Sequence, residues 1–187
     1  MSKKKQSVQL LLGPVPAALV ACGSGSENNI ITLAWVGVVN SSPPLISAAV
    51  RPNRYSYELI KNSGEFTVNI PSVEQVDLVD RCGTLSGRDM NKFETFGLTP
   101  ARGLLTAAPM IEECPISMEC RLHQALELGS HTAFIGEVIS SYVSEEMITD
   151  KGRIDFSKRS LLGFCAGSYL AVNPLDLSIG FTLKKDL

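Results

Sequence analysis

From Ile116 to Leu128 the chain alternates, with Ile116, Met118, Cys120, Leu122, Leu126 and Leu128 in one phase and Ser117, Glu119, Arg121 and His123 in the other. An apolar period of two sustained over that length describes a long strand with one face against a core and the other toward water. Gly129-Ser130 interrupts the run, and His131 to Tyr142 (HTAFIGEVISSY) returns with apolar and β-branched residues. The pair is a β-hairpin, with Gly136 placed to form a bulge. One hairpin of this length cannot bury its own apolar face, so the rest of the chain must supply strands to cover it.

It does so in short pieces. Ala17 to Cys22 is a first barrel strand and Gly23 to Asn28 its turn. Ile30, Ile31, Val36, Val38 and Val39 are β-branched and, with Trp35, suit strands, whereas Asn40-Ser41-Ser42-Pro43-Pro44 cannot continue one. Leu45 to Val50 is a second uncharged run, and Glu65 to Ile70 another strand that Pro71 ends. Short helices are expected over Arg54 to Asn62 and from Val73 to about Arg81, the second opened by a Ser72/Gln75 capping box and stopped by Gly83. Asp150 to Arg153 is a turn, Ile154 to Phe156 a short strand at most, and Ser160 to Tyr169 an apolar segment bearing glycine. With 187 residues, no internal repeat and no break in composition, a single domain follows. Many short strands and few helices make it mainly β, a closed or nearly closed barrel decorated by helices.

Composition removes several functions. A net charge of -2 leaves no basic face for a nucleic-acid backbone. Five scattered cysteines without a CxxC pair point to reduced thiols of a cytoplasmic protein rather than to a disulfide framework or a zinc site. His123 and His131 can approach each other across the hairpin, yet without a third ligand they make no metal site. Lys3 to Lys5 ahead of an apolar stretch ending in Leu19-Val20-Ala21-Cys22 resembles a bacterial lipoprotein signal. Pro14, Pro16 and Gln9 interrupt that stretch and a strand follows within about eight residues, so the exported reading, a lipoprotein with a binding role, is the lesser alternative. No segment approaches the ~20 apolar residues of a membrane span. Dinucleotide, P-loop, HExxH and GxSxG signatures are absent, and the adjacent Glu112 and Glu113 point apart in a strand.

What remains is a candidate pocket. After the uncharged run, Arg51 and Arg54 bracket Pro52-Asn53 and are followed by the hydroxyls of Tyr55, Ser56 and Tyr57. Guanidinium forks beside hydroxyls suit a phosphate, and the preceding apolar strands suit a flat ring. Cys82 to Phe96 (CGTLSGRDMNKFETF) is a second polar loop able to hold an anion or a polar ring edge.

These residues also carry a family resemblance. Asn29 to Trp35, Ser42-Pro43-Pro44, Val50-Arg51-Pro52 with Arg54-Tyr55-Ser56, then Cys82-Gly83 and Ser86 to Phe93, then His131 to Val138, in that order, resemble the flavin reductase-like family and within it the flavoredoxin branch. The match covers roughly residues 13 to 142, leaving 143 to 187 as C-terminal strands and tail. The resemblance implies an FMN-binding split β-barrel, assembled as a homodimer with non-covalent FMN near the subunit interface. It implies that Asn29, Thr32, Leu33, Ala34 and Trp35 form one wall of the site and Ser47 and Ala48 the next. Arg51, Arg54 and Ser56 would take the phosphate, Ser86, Gly87 and Lys92 its ribityl side, with Cys82 and Gly83 beside them. His131 would face the open side of the ring as the catalytic candidate. Chemistry would belong to the flavin, fed transiently by NAD(P)H and passing electrons to flavin, iron or a protein acceptor. A flavoredoxin moving electrons between redox proteins without nicotinamide is the alternative.

Overall fold

The computed structural model describes residues 1–105, 107–175 and 177–184. Its elements in chain order are Val15–Pro16 (β1), Ala18–Cys22 (β2), Asn29–Leu33 (β3), Val36–Ser41 (β4), Pro44–Val50 (β5), Tyr55–Ser63 (α1), Glu65–Ile70 (β6), Val76–Thr84 (α2), Lys92–Phe96 (α3), Pro100–Ala101 (β7), Met110–Ile111 (β8), Ile116–Glu127 (β9), Thr132–Val143 (β10), Leu161–Cys165 (β11) and Ser168–Val172 (β12). Seven strands form one antiparallel sheet in the order β3-β2-β6-β9-β10-β5-β4, while β1-β11-β12 form a small second sheet and β7-β8 a hairpin. The mainly β reading with short helices holds.

The sheet is curled, and the connection between its edge strands shows why it must be. β3 and β4 lie at opposite ends of the strand order, six spacings apart, which is about 29 Å in a flat sheet. Only Ala34 and Trp35 separate them in the chain, and the step from Leu33 to Val36 reaches at most about 11 Å. The edges must therefore come together, and Ala34-Trp35 bridges the split between them. Trp35 accepts a backbone hydrogen bond from Ala49 N at 3.0 Å, which extends the β4–β5 ladder by one residue. The run Asn29 to Val39 is accordingly two strands on opposite edges, and the Pro-Pro turn joins β4 to β5.

Two cores flank β2. Ala18, Val20 and Cys22 face the barrel interior with Phe66, Val68, Tyr57, Ile60 and Phe134. Ala17, Leu19 and Ala21 face outward beneath Val79, Cys82, Phe93, Ile111 and Leu162. Every residue of β2 is buried, so its sequence is continuously apolar rather than alternating. That is the physical origin of the likeness to a secretion signal. Cleavage and acylation at Cys22 would remove a strand paired on both sides, to β3 and to β6.

The alternation of β9 located the strand but misassigned part of its faces. Ser117 and Glu119 are buried while Ile116 and Met118 are half-buried, and Leu126 and Leu128 are exposed at the hairpin's far end. Burial of the polar phase has a cause: the segment after α3 folds over that face. Glu119, fully buried, accepts hydrogen bonds from Leu104 N (2.9 Å), Leu105 N (2.8 Å) and Tyr142 Oη (3.1 Å). Glu65 takes Ala107 N at 2.8 Å and Glu113 takes Thr99 N at 2.9 Å. The hairpin ladder carries two extra residues, Ile139 on β10 and His123 on β9 opposite the Ile135/Gly136 step, so His123 sits several residues up the ladder from His131 and the two do not meet. Gly136 serves packing instead, since a Cβ there would lie 2.5 Å from Phe66 Cζ and 2.9 Å from Cys120 Cβ. Gly136→Ala is expected to cost about 1–3 kcal/mol by overpacking, measurable as a lower urea midpoint at unchanged slope.

The helices follow their caps. α1 ends at Gly64 in the left-handed conformation. The Ser72/Gln75 capping box forms, with Ser72 N donating to Gln75 Oε1 at 2.9 Å, but it opens a 3₁₀ turn over Val73–Gln75 before α2 begins. Gly83 lies inside the last turn of α2 rather than beyond it. Ile154 makes an isolated bridge to Ile148, and the Ser160 to Tyr169 segment forms most of the β11-β12 hairpin.

Candidate functional site

The split between the sheet edges, the N-terminus of α1 and the loop after α2 enclose one continuous trough. Its inner end is a polar pocket lined by Asn29, Ile31, Asn53, Arg54, Tyr55, Ser56, Cys82, Gly83, Leu85, Ser86, Gly87, Arg88 and Lys92. The middle section runs past Thr32, Leu33, Ala49, Arg51 and His131, sharing Ile31, Arg54 and Gly83 with the pocket. Through Ala49 it opens into an apolar groove under Trp35, Ala34, Val36 and Ser47. The residues marked in the sequence thus come together along one path, apart from Ala48. That side chain is fully buried in the barrel interior, because alternation along β5 gives the trough to Ser47 and Ala49.

Each wall has a local reason for its shape. Asn29, 2 % exposed, donates from Nδ2 to Ser56 Oγ at 2.7 Å, tying β3 to the first turn of α1. Its Oδ1 is buried without a hydrogen-bond partner. A Cβ on Gly87 would stand 2.0 Å from that oxygen and 2.9 Å from Tyr55 Cδ1, so only glycine allows the loop this close. Thr32 Oγ1 donates to Val79 O, and a Cβ on Gly83 would meet Thr32 Cβ at 3.1 Å, which seats α2 against the strand.

Lys92 does not extend to the outer pocket. Its ammonium is buried and donates to Ile30 O at 2.7 Å and Cys82 O at 2.6 Å, clamping the end of α2 to β3. Burial holds its pKa below the ordinary lysine value. It therefore builds the pocket floor and supplies positive charge from beneath. Cys82 lies beside it with 1 % exposure, and burial pushes its thiol up to about 11. A redox role for Cys82 needs a thiolate that this environment disfavours. Asn91 accepts from Phe93 N at 3.1 Å and caps α3.

The cations of the rim lack partners. Among the described residues the one ion pair within 4.0 Å is Arg159–Glu146, far along the chain, so Arg51, Arg54 and Arg88 have no carboxylate. Arg88 was not among the expected site residues, although it stands inside the Ser86 to Phe93 motif. It donates from Nη1 to Asn53 O at 3.1 Å and its guanidinium lies 5.6 Å from the Tyr55 ring centre. Arg54 occupies the N-cap position of α1, whose first amides and dipole favour an anion. Unpaired guanidinium groups around a helix N-terminus, with glycine holding the wall open, fit a phosphate. The apolar groove at Ala34, Trp35, Val36 and Ala49, reached past Arg51 and His131, fits a flat ring. No described group of three or more His, Cys, Asp or Glu converges as a metal site, and no described helix is long and apolar enough to cross a membrane.

Comparison with known proteins matches this geometry. Residues 12–170 match the model of the flavin reductase like domain. The fold superposes on the flavoredoxin of Desulfovibrio vulgaris (Miyazaki F) with a TM-score of 0.89 and 34% identity, covering 98% of this chain and 100% of that one. It superposes on the flavoredoxin of Methanosarcina acetivorans with a TM-score of 0.85 and 31% identity, again over 98% and 100%. A protein of Archaeoglobus fulgidus is 38% identical over 165 residues, 88% of this chain and 92% of its own. The barrel with its open seam is the split barrel of these neighbours, and the chain belongs to the flavin reductase-like family.

Proposed function

We propose that the chain is an oxidoreductase that holds FMN non-covalently in the trough and accepts electrons from NAD(P)H for delivery to flavin, iron or a protein acceptor. The observation that carries this reading is the carboxylate-free pair Arg54 and Arg88 at the start of α1, in a pocket that shares Ile31, Arg54 and Gly83 with the section past Arg51 and His131, which in turn shares Ala49 with the apolar groove at Trp35. In it the phosphate belongs to Arg54, Arg88, Ser86 and the α1 amides, and the ring lies along Thr32 to Trp35 with Ala49 opposite. A bound flavin supplies the electron-carrying ring; the chain's residues bind it, orient it and keep one face apolar.

The likeness to two flavoredoxins over nearly the whole chain favours a second reading, an electron carrier fed by another redox protein. Mixing the FMN-loaded protein anaerobically with NADH or NADPH separates the two. Bleaching of the flavin band on the time scale of turnover identifies a reductase, and an unchanged band identifies a carrier.

A homodimer belongs to the same proposal. Edge strand β4 presents Val38 at 83% and Val39 at 52% exposure, and Trp35 beside it is 48% exposed. An unpaired sheet edge with outward apolar side chains next to an open trough is suited to a second copy that covers both. Light scattering giving twice the chain mass is the expected result.

A further inference from the structure

His131 lines the middle section of the trough, and strand register explains why it meets Arg51. Thr132 pairs with Val50 across β10 and β5, so the next residue outward on each strand is His131 or Arg51. Arg51 Nε donates to His131 Nε2 at 3.4 Å, and His131 Nδ1 lies 2.9 Å from Ser130 Oγ. The imidazole also packs on Trp35, with ring centres 4.5 Å apart. A guanidinium only donates, so Nε2 must present its lone pair and the single ring proton sits on Nδ1, toward Ser130. The charged groups around the ring are Arg51 at the end of β5, Arg54 across the trough and Glu127 at the end of β9. Burial first, and Arg51 second, hold the imidazole below its ordinary pKa.

Arg51 has no carboxylate partner, and the neutral imidazole is a weak acceptor for it. Phosphate oxygens bind a guanidinium more strongly and in matched pairs. We propose that Arg51 is a positioning residue for His131, holding Nε2 unprotonated until a ligand phosphate draws the guanidinium away, so that His131 takes up a proton only when an anion is in the trough. Both consequences of the exchange act in one direction: a positive neighbour leaves Nε2, and a negative one arrives. His131 thereby changes from an acceptor in the free protein to a proton donor in the loaded one. This rests on the flavin reading for which phosphate acts, that of FMN or that of a nicotinamide nucleotide.

The test is ¹H–¹⁵N NMR of the imidazole rings through a pH series, with His123→Gln assigning the two histidines. The protein is measured alone and with inorganic phosphate, FMN, riboflavin or NADP⁺. Expected in the free protein are an Nδ1–H tautomer and a midpoint below 6.5. At least one phosphate-bearing probe should raise the midpoint, and riboflavin should not. In Arg51→Ala the free midpoint should already be raised, and the probes should add less than they do in the wild-type protein. A midpoint that no bound phosphate moves, or an equal rise in Arg51→Ala, overturns the proposal. If FMN fails to bind while inorganic phosphate still raises the midpoint, the exchange stands and the flavin reading fails.

Discussion

Glu119→Ala is expected to remove about 2–4 kcal/mol of unfolding free energy. The carboxylate is fully buried and serves Leu104 N, Leu105 N and Tyr142 Oη together. Alanine leaves two amides and a phenol without their acceptor; the loss is full, about 1–3 kcal/mol, for the buried Leu105 amide and smaller for Leu104 N and Tyr142 Oη, whose residues are exposed to water. For a chain of this size that is a fall in melting temperature of roughly 4–16 °C. Glu119→Gln keeps one carbonyl oxygen but turns an NH₂ group toward a donor, so it should fall between wild type and alanine. Thermal unfolding followed by circular dichroism reads the series. Equal stability of all three would mean that the segment covering β9 is not held by this carboxylate.

The second large effect is on affinity. Arg54→Ala and Arg88→Ala remove the unpaired cations of the inner pocket, where each charge-assisted contact is worth about 1.5–3 kcal/mol. FMN should bind about 10- to 150-fold more weakly in either variant, and more weakly still in the pair. Riboflavin carries no phosphate, so its affinity should change little. The ratio of the two affinities therefore separates loss of a phosphate contact from general damage to the trough, and fluorescence titration with both flavins measures it. A matching loss for riboflavin would move the phosphate away from α1. A further check lies in Gly87, where any Cβ collides with Asn29 Oδ1.

How much of this was legible in the sequence depended on whether one residue sees one environment. The barrel was legible because long strands need a period of two, and the capping box and the glycine-stopped α1 are local chemistry. Arg54, Ser56, Ser86 and Gly87, marked as candidates in the sequence, do line one pocket, because they stand at the start of α1 and in one short loop after α2, each a few residues of contiguous chain. Glu119 was not, since its alternation is what a solvent-facing residue would show and only the covering loop reverses it. Ala48 failed for a related reason: a strand contributes every second residue to a wall, and phase is fixed by pairing with β10. Lys92 was expected to reach the ligand directly, because sequence does not reveal that its ammonium meets two carbonyl groups. The Arg51–His131 contact is a matter of register between strands about eighty residues apart, with no local signal at all.

The central claim is that the trough holds a flavin by its phosphate. Titration of the flavin-free protein with FMN tests it most directly, with quenching of flavin emission and of Trp35, the single tryptophan, followed together. The predicted result is saturable binding of one FMN per chain, much tighter than riboflavin, with Trp35 responding to both. FMN that leaves both signals unchanged, or that binds no better than riboflavin, would contradict it.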